Sequence, residues 1–231
     1  MSEEEELAKA AGEIAKTASK VIDASREFGG FVSRFISGPL EQGVGIFKDK
    51  LTYMRWERQV RLMKRAEEFL ASQGLSGPTR ALPLKIAVPL FQAASLEDDD
   101  YLQDLWAKLL VNGATGESGV ALNRVYIDIL ERLTPLEARI LENIYSTPFE
   151  RLKHQSIATA ELPNAVRIVT EAELNTLDEP PDEVKLAIAN LARMGCIGFK
   201  TTWGGGQVFS SVVPTLLGSS FVAACTLRQE K

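Results

Sequence analysis

Glu97, Asp98, Asp99, Asp100 and Asp104 place five carboxylates within eight residues. Such a run raises the chemistry of hard-cation binding, because calcium and magnesium take oxygen ligands. The spacing, however, lacks the alternating ligand positions and the central glycine of a calcium loop. Neighbouring residues of a helix also point about 100° apart, so the adjacent acids cannot converge on one ion. The run reads instead as the start of a helix, where exposed N–H groups and the dipole favour negative charge. Nucleophilic chemistry has little to draw on. The single histidine, His154, leaves no room for a histidine-rich metal site and little for a triad. Cys196 and Cys225 sit beside apolar residues, as expected of buried thiols in a reducing compartment. Gly204-Gly205-Gly206 falls between two strand-like runs and not before a helix, so it is no nucleotide loop. No cofactor, metal or catalytic residue is expected.

Positive charge is the other resource. Lys48, Lys50, Arg55, Arg58, Arg61, Lys64 and Arg65 make seven cations against two acids between 48 and 65, with Tyr53 and Trp56 interleaved. Basic residues beside aromatics suit anionic lipid headgroups or phosphates. They equally suit an acidic protein face, and this chain carries one at 97–104. The plain alternative is that Trp56, Val60, Met63 and Leu70 face inward and the cations line the solvated side. A second set, Lys185, Arg193 and Lys200, would serve DNA contact, but Asp182 and Glu183 stand beside it. Phosphate contacts dominate affinity for nucleic acid, and so few cations supply little of it. Net charge is −5 over 231 residues, which does not suit a generally basic nucleic-acid binder. A protein partner or a homo-oligomer is expected, with peripheral membrane contact next and nucleic acid last.

The elements that must position these groups are mostly helical. We expect a mainly α protein: a helical N-terminal and central region, then a C-terminal winged-helix-like α+β subdomain. The segments are 1–80, long helices with a Gly-rich hinge; 81–133, a central helical core; and 134–231, the winged-helix-like part. Leu7, Ala11, Ile14, Ala18, Val21, Ser25 and Phe28 keep a heptad spacing. Phe28 to Phe47, rich in glycine and phenylalanine, reads as a packed bend, with membrane-surface insertion as the other reading. Leu84 to Ala94 is apolar nearly all round and contains Pro89. Ser95 resembles the cap of a helix whose stripe is Leu102, Leu105, Trp106, Leu109 and Leu110, ended by Asn112-Gly113. Gly113 to Gly119 reads as a flexible loop. Thr134-Pro135-Leu136-Glu137 is a capping box. A short helix is expected over 149–159, an acidic loop over 171–183, and an amphipathic helix over Asp182–Gly195. Cys196–Thr202 and Gln207–Val213 read as a hairpin, and Pro214 opens a last helix. The acidic N-terminus is unlike a secretory signal, so a cytoplasmic location, with or without membrane association, is expected.

Several stretches resemble the bacterial Abi-alpha (abortive infection alpha) family. They are Gly38-Pro39-Leu40-Glu41, Asp49-Lys50-Leu51 with Arg55-Trp56, and above all Ala93-Ala94-Ser95-Leu96-Glu97-Asp98-Asp99 leading into Leu102-Gln103-Asp104-Leu105-Trp106-Ala107-Lys108-Leu109-Leu110. Leu133-Thr134-Pro135-Leu136 and Phe221-Val222-Ala223-Ala224-Cys225 are similar too. The likeness spans about residues 5–226 and implies a part in bacterial defence against phage, with no catalytic residues to carry over. The expectation is a non-enzymatic defence protein acting through a partner or the membrane. The alternative is a winged-helix DNA-binding transcriptional regulator.

Overall fold

The computed structural model describes residue 23 and residues 26–36, 56–201 and 204–227. Most of the heptad seam, residues 37–47, and the cations Lys48, Lys50 and Arg55 lie outside the described residues. The chain divides into two compact units between Asn123 and Arg124. The last boundary expected from sequence stood ten residues later, at Thr134. The seven-residue helix Arg124–Leu130 belongs to the second unit, where the Tyr126 ring lies 6.3 Å from that of Phe221.

In the first unit, residues 26–35 are helical (α1), and α2 (Trp56–Ser72), α3 (Leu84–Leu96) and α4 (Asp100–Ala114) come after them. Gly29 and Gly30 lie inside α1, so the chain there is a helix and not a bend. Phe28, Phe31 and Phe35 are buried on one side of α1, each within 6.2 Å of the Phe91 ring and edge-on to it, the arrangement that ring quadrupoles favour. These three phenylalanines are therefore occupied by the protein's own core. Pro89 does not break α3, which runs through it. Trp106 is 1% exposed and is the largest fully buried side chain among the described residues.

The start of α4 differs from the sequence expectation. Ser95 is still inside α3, fully buried, with its hydroxyl donating to the Phe91 carbonyl at 2.7 Å. The cap is Asp99, whose carboxylate accepts from the N–H groups of Tyr101 and Leu102 at 2.9 and 3.0 Å. A longer α3 leaves the hydroxyl a helical carbonyl to bond, and the next available oxygen takes the orphan donors. Nor does α4 stop at Asn112-Gly113. Gly113 is helical, and a Cβ on it would stand 2.7 Å from Leu122 Cδ2. Arg80 finishes the helix by donating to the Gly113 carbonyl at 2.7 Å and to the Val120 carbonyl at 2.7 Å. Residues 116–118 form a 3-10 turn where a flexible loop was expected.

The second unit continues with α5 (Arg124–Leu130), α6 (Pro135–Tyr145), α7 (Phe149–Leu152), β1 (Ser156–Ala158), β2 (Arg167–Val169), α8 (Asp182–Arg193), β3 (Ile197–Thr201), β4 (Gln207–Pro214) and α9 (Leu216–Ala224). The strands form one antiparallel sheet in the order β2-β1-β4-β3. The hairpin β3–β4 was legible; β1 and β2 were not. The helix expected over 149–159 stops at Leu152, and Ile157 pairs with Val212 of β4. Three-residue strands are too short to show a period of two, so only their partner defines them.

Thr134 and Glu137 form the expected reciprocal capping box. Glu137, only 3% exposed, also accepts from Asn190 Nδ2 at 2.7 Å, which ties α6 to α8. The Tyr145 hydroxyl donates to the Cys196 carbonyl at 2.6 Å and accepts from Thr215 N at 2.8 Å. Thr215, the cap of α9, donates its own hydroxyl to the Gly195 carbonyl at 2.7 Å. The end of α6, the start of β3 and the start of α9 are thus held at one knot.

Candidate functional site

The most concentrated assembly of charged side chains among the described residues lies where α2 meets α4. Arg58, Arg61 and Arg65 recur at spacings of three and four, so they share one side of α2. Asp100 and Asp104 do the same on α4. Arg58 Nη1 stands 2.7 Å from Asp100 Oδ1, and Arg61 bridges Asp100 and Asp104 at 3.3 and 3.4 Å. Arg65 grips Asp104 with both arms of its fork, Nε to Oδ1 at 2.7 Å and Nη2 to Oδ2 at 2.6 Å, and reaches Glu68 at 2.6 Å. The hydrogen bond that Arg65 donates to Asp104, opposed by partial burial and aided by Glu68, holds the guanidinium further above its already high ordinary pKa. Bidentate geometry of this kind is the strongest form an arginine–carboxylate pair takes.

Beneath the ladder, α2 buries Gln59, Leu62, Ala66 and Leu70. The expected stripe of Val60 and Met63 is only half-buried. The helix is rotated so that its arginines reach α4. Gln103, fully buried on α4, donates to the Arg58 carbonyl at 3.1 Å and to the Ala94 carbonyl at 3.4 Å. Its Oε1 and the indole Nε1 of Trp106 make no hydrogen bond among the described residues.

Of the cations singled out from sequence, Arg58, Arg61 and Arg65 therefore come together on an acidic partner within the chain. Lys64 is exposed on α2. In the second unit Lys185 is engaged by Glu179 at 2.8 Å and Asp182 at 3.4 Å, and the Glu179 hydrogen bond raises its pKa. Arg193 donates to Asn190 Oδ1 at 2.7 and 3.1 Å, and Lys200 is half-exposed on β3. Gln103 and Arg80 escaped the sequence reading. Neither carried a local signal, since their partners lie far along the chain.

Among the described residues no cluster of three or more His, Cys, Asp and Glu could hold a metal. Both cysteines are buried thiols outside any disulfide. Burial, with the Glu137 carboxylate adding to it, pushes the Cys196 thiol up to about 12, the reverse of an activated nucleophile. Burial likewise raises Tyr145. Since Cys196 ionises more readily in the unfolded chain, its contribution to stability is complete below the ordinary thiol pKa of 9.0 and is lost as pH climbs from there toward 12, and Tyr145 adds a loss of the same sign that begins near its ordinary value of 10.0. Urea midpoints taken between about pH 8 and about pH 11 are expected to fall, and to fall less steeply in Cys196→Ala. An equal slope in the variant would assign the loss to other groups.

Among the described residues no helix is long and apolar enough to cross a membrane. The fold and its charged seam define a mainly helical protein with a small four-stranded antiparallel sheet toward the C-terminus. The model of the Abortive infection alpha family matches residues 57–225, well over half of the chain, and the chain belongs to that family. No curated protein and no solved structure matches it.

Proposed function

We propose that this protein is a bacterial anti-phage, abortive-infection protein that works inside the cell by contact with a protein partner or a membrane surface and catalyses no reaction. Membership of the abortive infection alpha family carries the first half of this reading. The second half is supported by the chemistry of the described residues: a Cys196 thiol held neutral by burial, a lone histidine exposed at a turn, and acids such as Asp99 and Asp104 committed to a cap and ion pairs.

Within the second unit we read α6, β1, α8 and the β3–β4 hairpin as a winged-helix arrangement used as a contact module. The pairing of β1 with β4 supports this, since it closes the early strand onto the wing. Between β1 and α8 the chain departs from the expected helix–helix order by adding β2. DNA binding, the alternative, has less support, because Lys185 and Arg193 are already engaged within the chain and acids open α8.

The test is phage plaquing on a host with and without the gene. Plating efficiency is expected to fall when the protein is present, and to stay low in His154→Ala and Cys196→Ala. Equal plaquing on both hosts refutes the defence reading, and loss of protection in a folded His154→Ala variant refutes contact without catalysis.

A further inference from the structure

We propose that the Arg58/Arg61/Arg65–Asp100/Asp104 ladder is an intramolecular latch that keeps an anionic-membrane-binding face of α2 turned inward. The proposal rests on the contact function proposed for this protein and specifies how that contact is regulated. Its first ground is the composition of the seam. The side of α2 that meets α4 buries two leucines, one alanine and one glutamine, so the apolar stripe carries a buried polar group within it and the arginine–aspartate ladder along its edge. The second is the state of Gln103 at the centre, which donates to Arg58 while its carbonyl oxygen accepts nothing among the described residues. A buried polar network left partly satisfied is a weak point in packing. The ion ladder runs along the edge of this seam, where Asp100 is 67% exposed at the side chain and its arginine partners are 24% and 33% exposed. Solvent and competing anions therefore reach it.

The third ground is the identity of the hidden face. Leu62, Ala66 and Leu70 run in line with Phe69 beside them, and Arg58, Arg61 and Arg65 flank that line. An apolar stripe bordered by arginines is the pattern of a helix lying in a bilayer interface. Asp100 and Asp104 occupy the arginine positions that lipid phosphates would take, so docking on α4 and lying on a membrane use one surface and exclude each other.

The full-length chain with Asp100→Asn and Asp104→Asn together tests this against vesicles of phosphatidylglycerol and phosphatidylcholine at low salt. Amides of Trp56–Ser72 are expected to exchange faster with solvent, and vesicle affinity to rise by about fivefold for each arginine released. The compensating exchange Asp104→Arg with Arg65→Asp is expected to restore slow exchange and wild-type partitioning. Faster exchange with unchanged vesicle binding overturns the proposal, as does no change in either. A gain for poly-glutamate without a gain for vesicles overturns the lipid assignment in favour of an acidic protein. If the double variant fails to fold, Asp104→Asn alone is judged by the same outcomes. Equal plaquing on hosts with and without the gene, in a protein whose double variant does gain vesicle affinity, leaves the latch standing and sinks the defence reading instead.

Discussion

Gly218→Ala is expected to unfold the second unit or cost it about 3 kcal/mol or more, at the upper end of what overpacking does. A Cβ built on Gly218 lies 1.9 Å from the Cys196 carbonyl oxygen and 2.5 Å from the Tyr145 hydroxyl. Both distances are far inside van der Waals contact, and the nearer atom is backbone, which cannot rotate away. The clash falls on the knot that joins α6, β3 and α9. Relief would mean pulling Tyr145 off the Cys196 carbonyl or lifting α9 from its Thr215 cap. Either leaves a buried donor or acceptor unpaired, a further cost of about 1–3 kcal/mol. Gly204→Ala is the control, because nothing stands within 4 Å of its Cβ position. Urea unfolding combined with amide exchange of 124–227 measures both. A Gly218→Ala protein as stable as Gly204→Ala would mean that α9 does not pack as described.

Trp106→Ala is expected to cost the first unit about 3–5 kcal/mol, the usual range for deleting a buried aromatic. The side chain is 1% exposed on α4, between Leu105, Leu109 and Leu110, all of them buried. Its removal leaves a cavity that the surrounding helices can fill only in part. The indole nitrogen makes no hydrogen bond among the described residues, so Trp106→Phe forfeits volume alone and is expected to cost clearly less than Trp106→Ala. If phenylalanine proves as damaging as alanine, the nitrogen has a partner and the loss is one of hydrogen bonding. A general collapse of both units in Trp106→Ala would show that they do not unfold separately.

These sites differ in how far the sequence announced them. Trp106 was conspicuous, since Leu102, Leu105, Trp106, Leu109 and Leu110 keep a helical spacing and an apolar stripe of that width has to be buried. Gly218 was invisible. Nothing in Leu217-Gly218-Ser219 says that a carbonyl 22 residues earlier will lie against it, since Cys196 precedes a strand and Gly218 sits in a helix. The Thr134–Glu137 box was legible because both partners lie within one turn. The Asp99 cap was misplaced to Ser95 because a serine with acids after it satisfies the same local rule, and only the true end of α3 chooses between them.

The amino-acid order alone determined where helices begin at strong caps, which faces are apolar, that the thiols are buried, that no familiar catalytic motif is present, and which family the chain resembles. Those properties depend on residues a few positions apart, where backbone periodicity converts spacing into direction. It also placed Arg58, Arg61 and Arg65 on one side of α2 and the acids together at the head of α4. Only the tertiary structure decided that these two rows face each other across some forty residues of chain. A charged helix face is satisfied equally well by water, a partner or another helix, and that choice is made by the packing of Leu62, Leu70 and Gln103, which sets how α2 is turned.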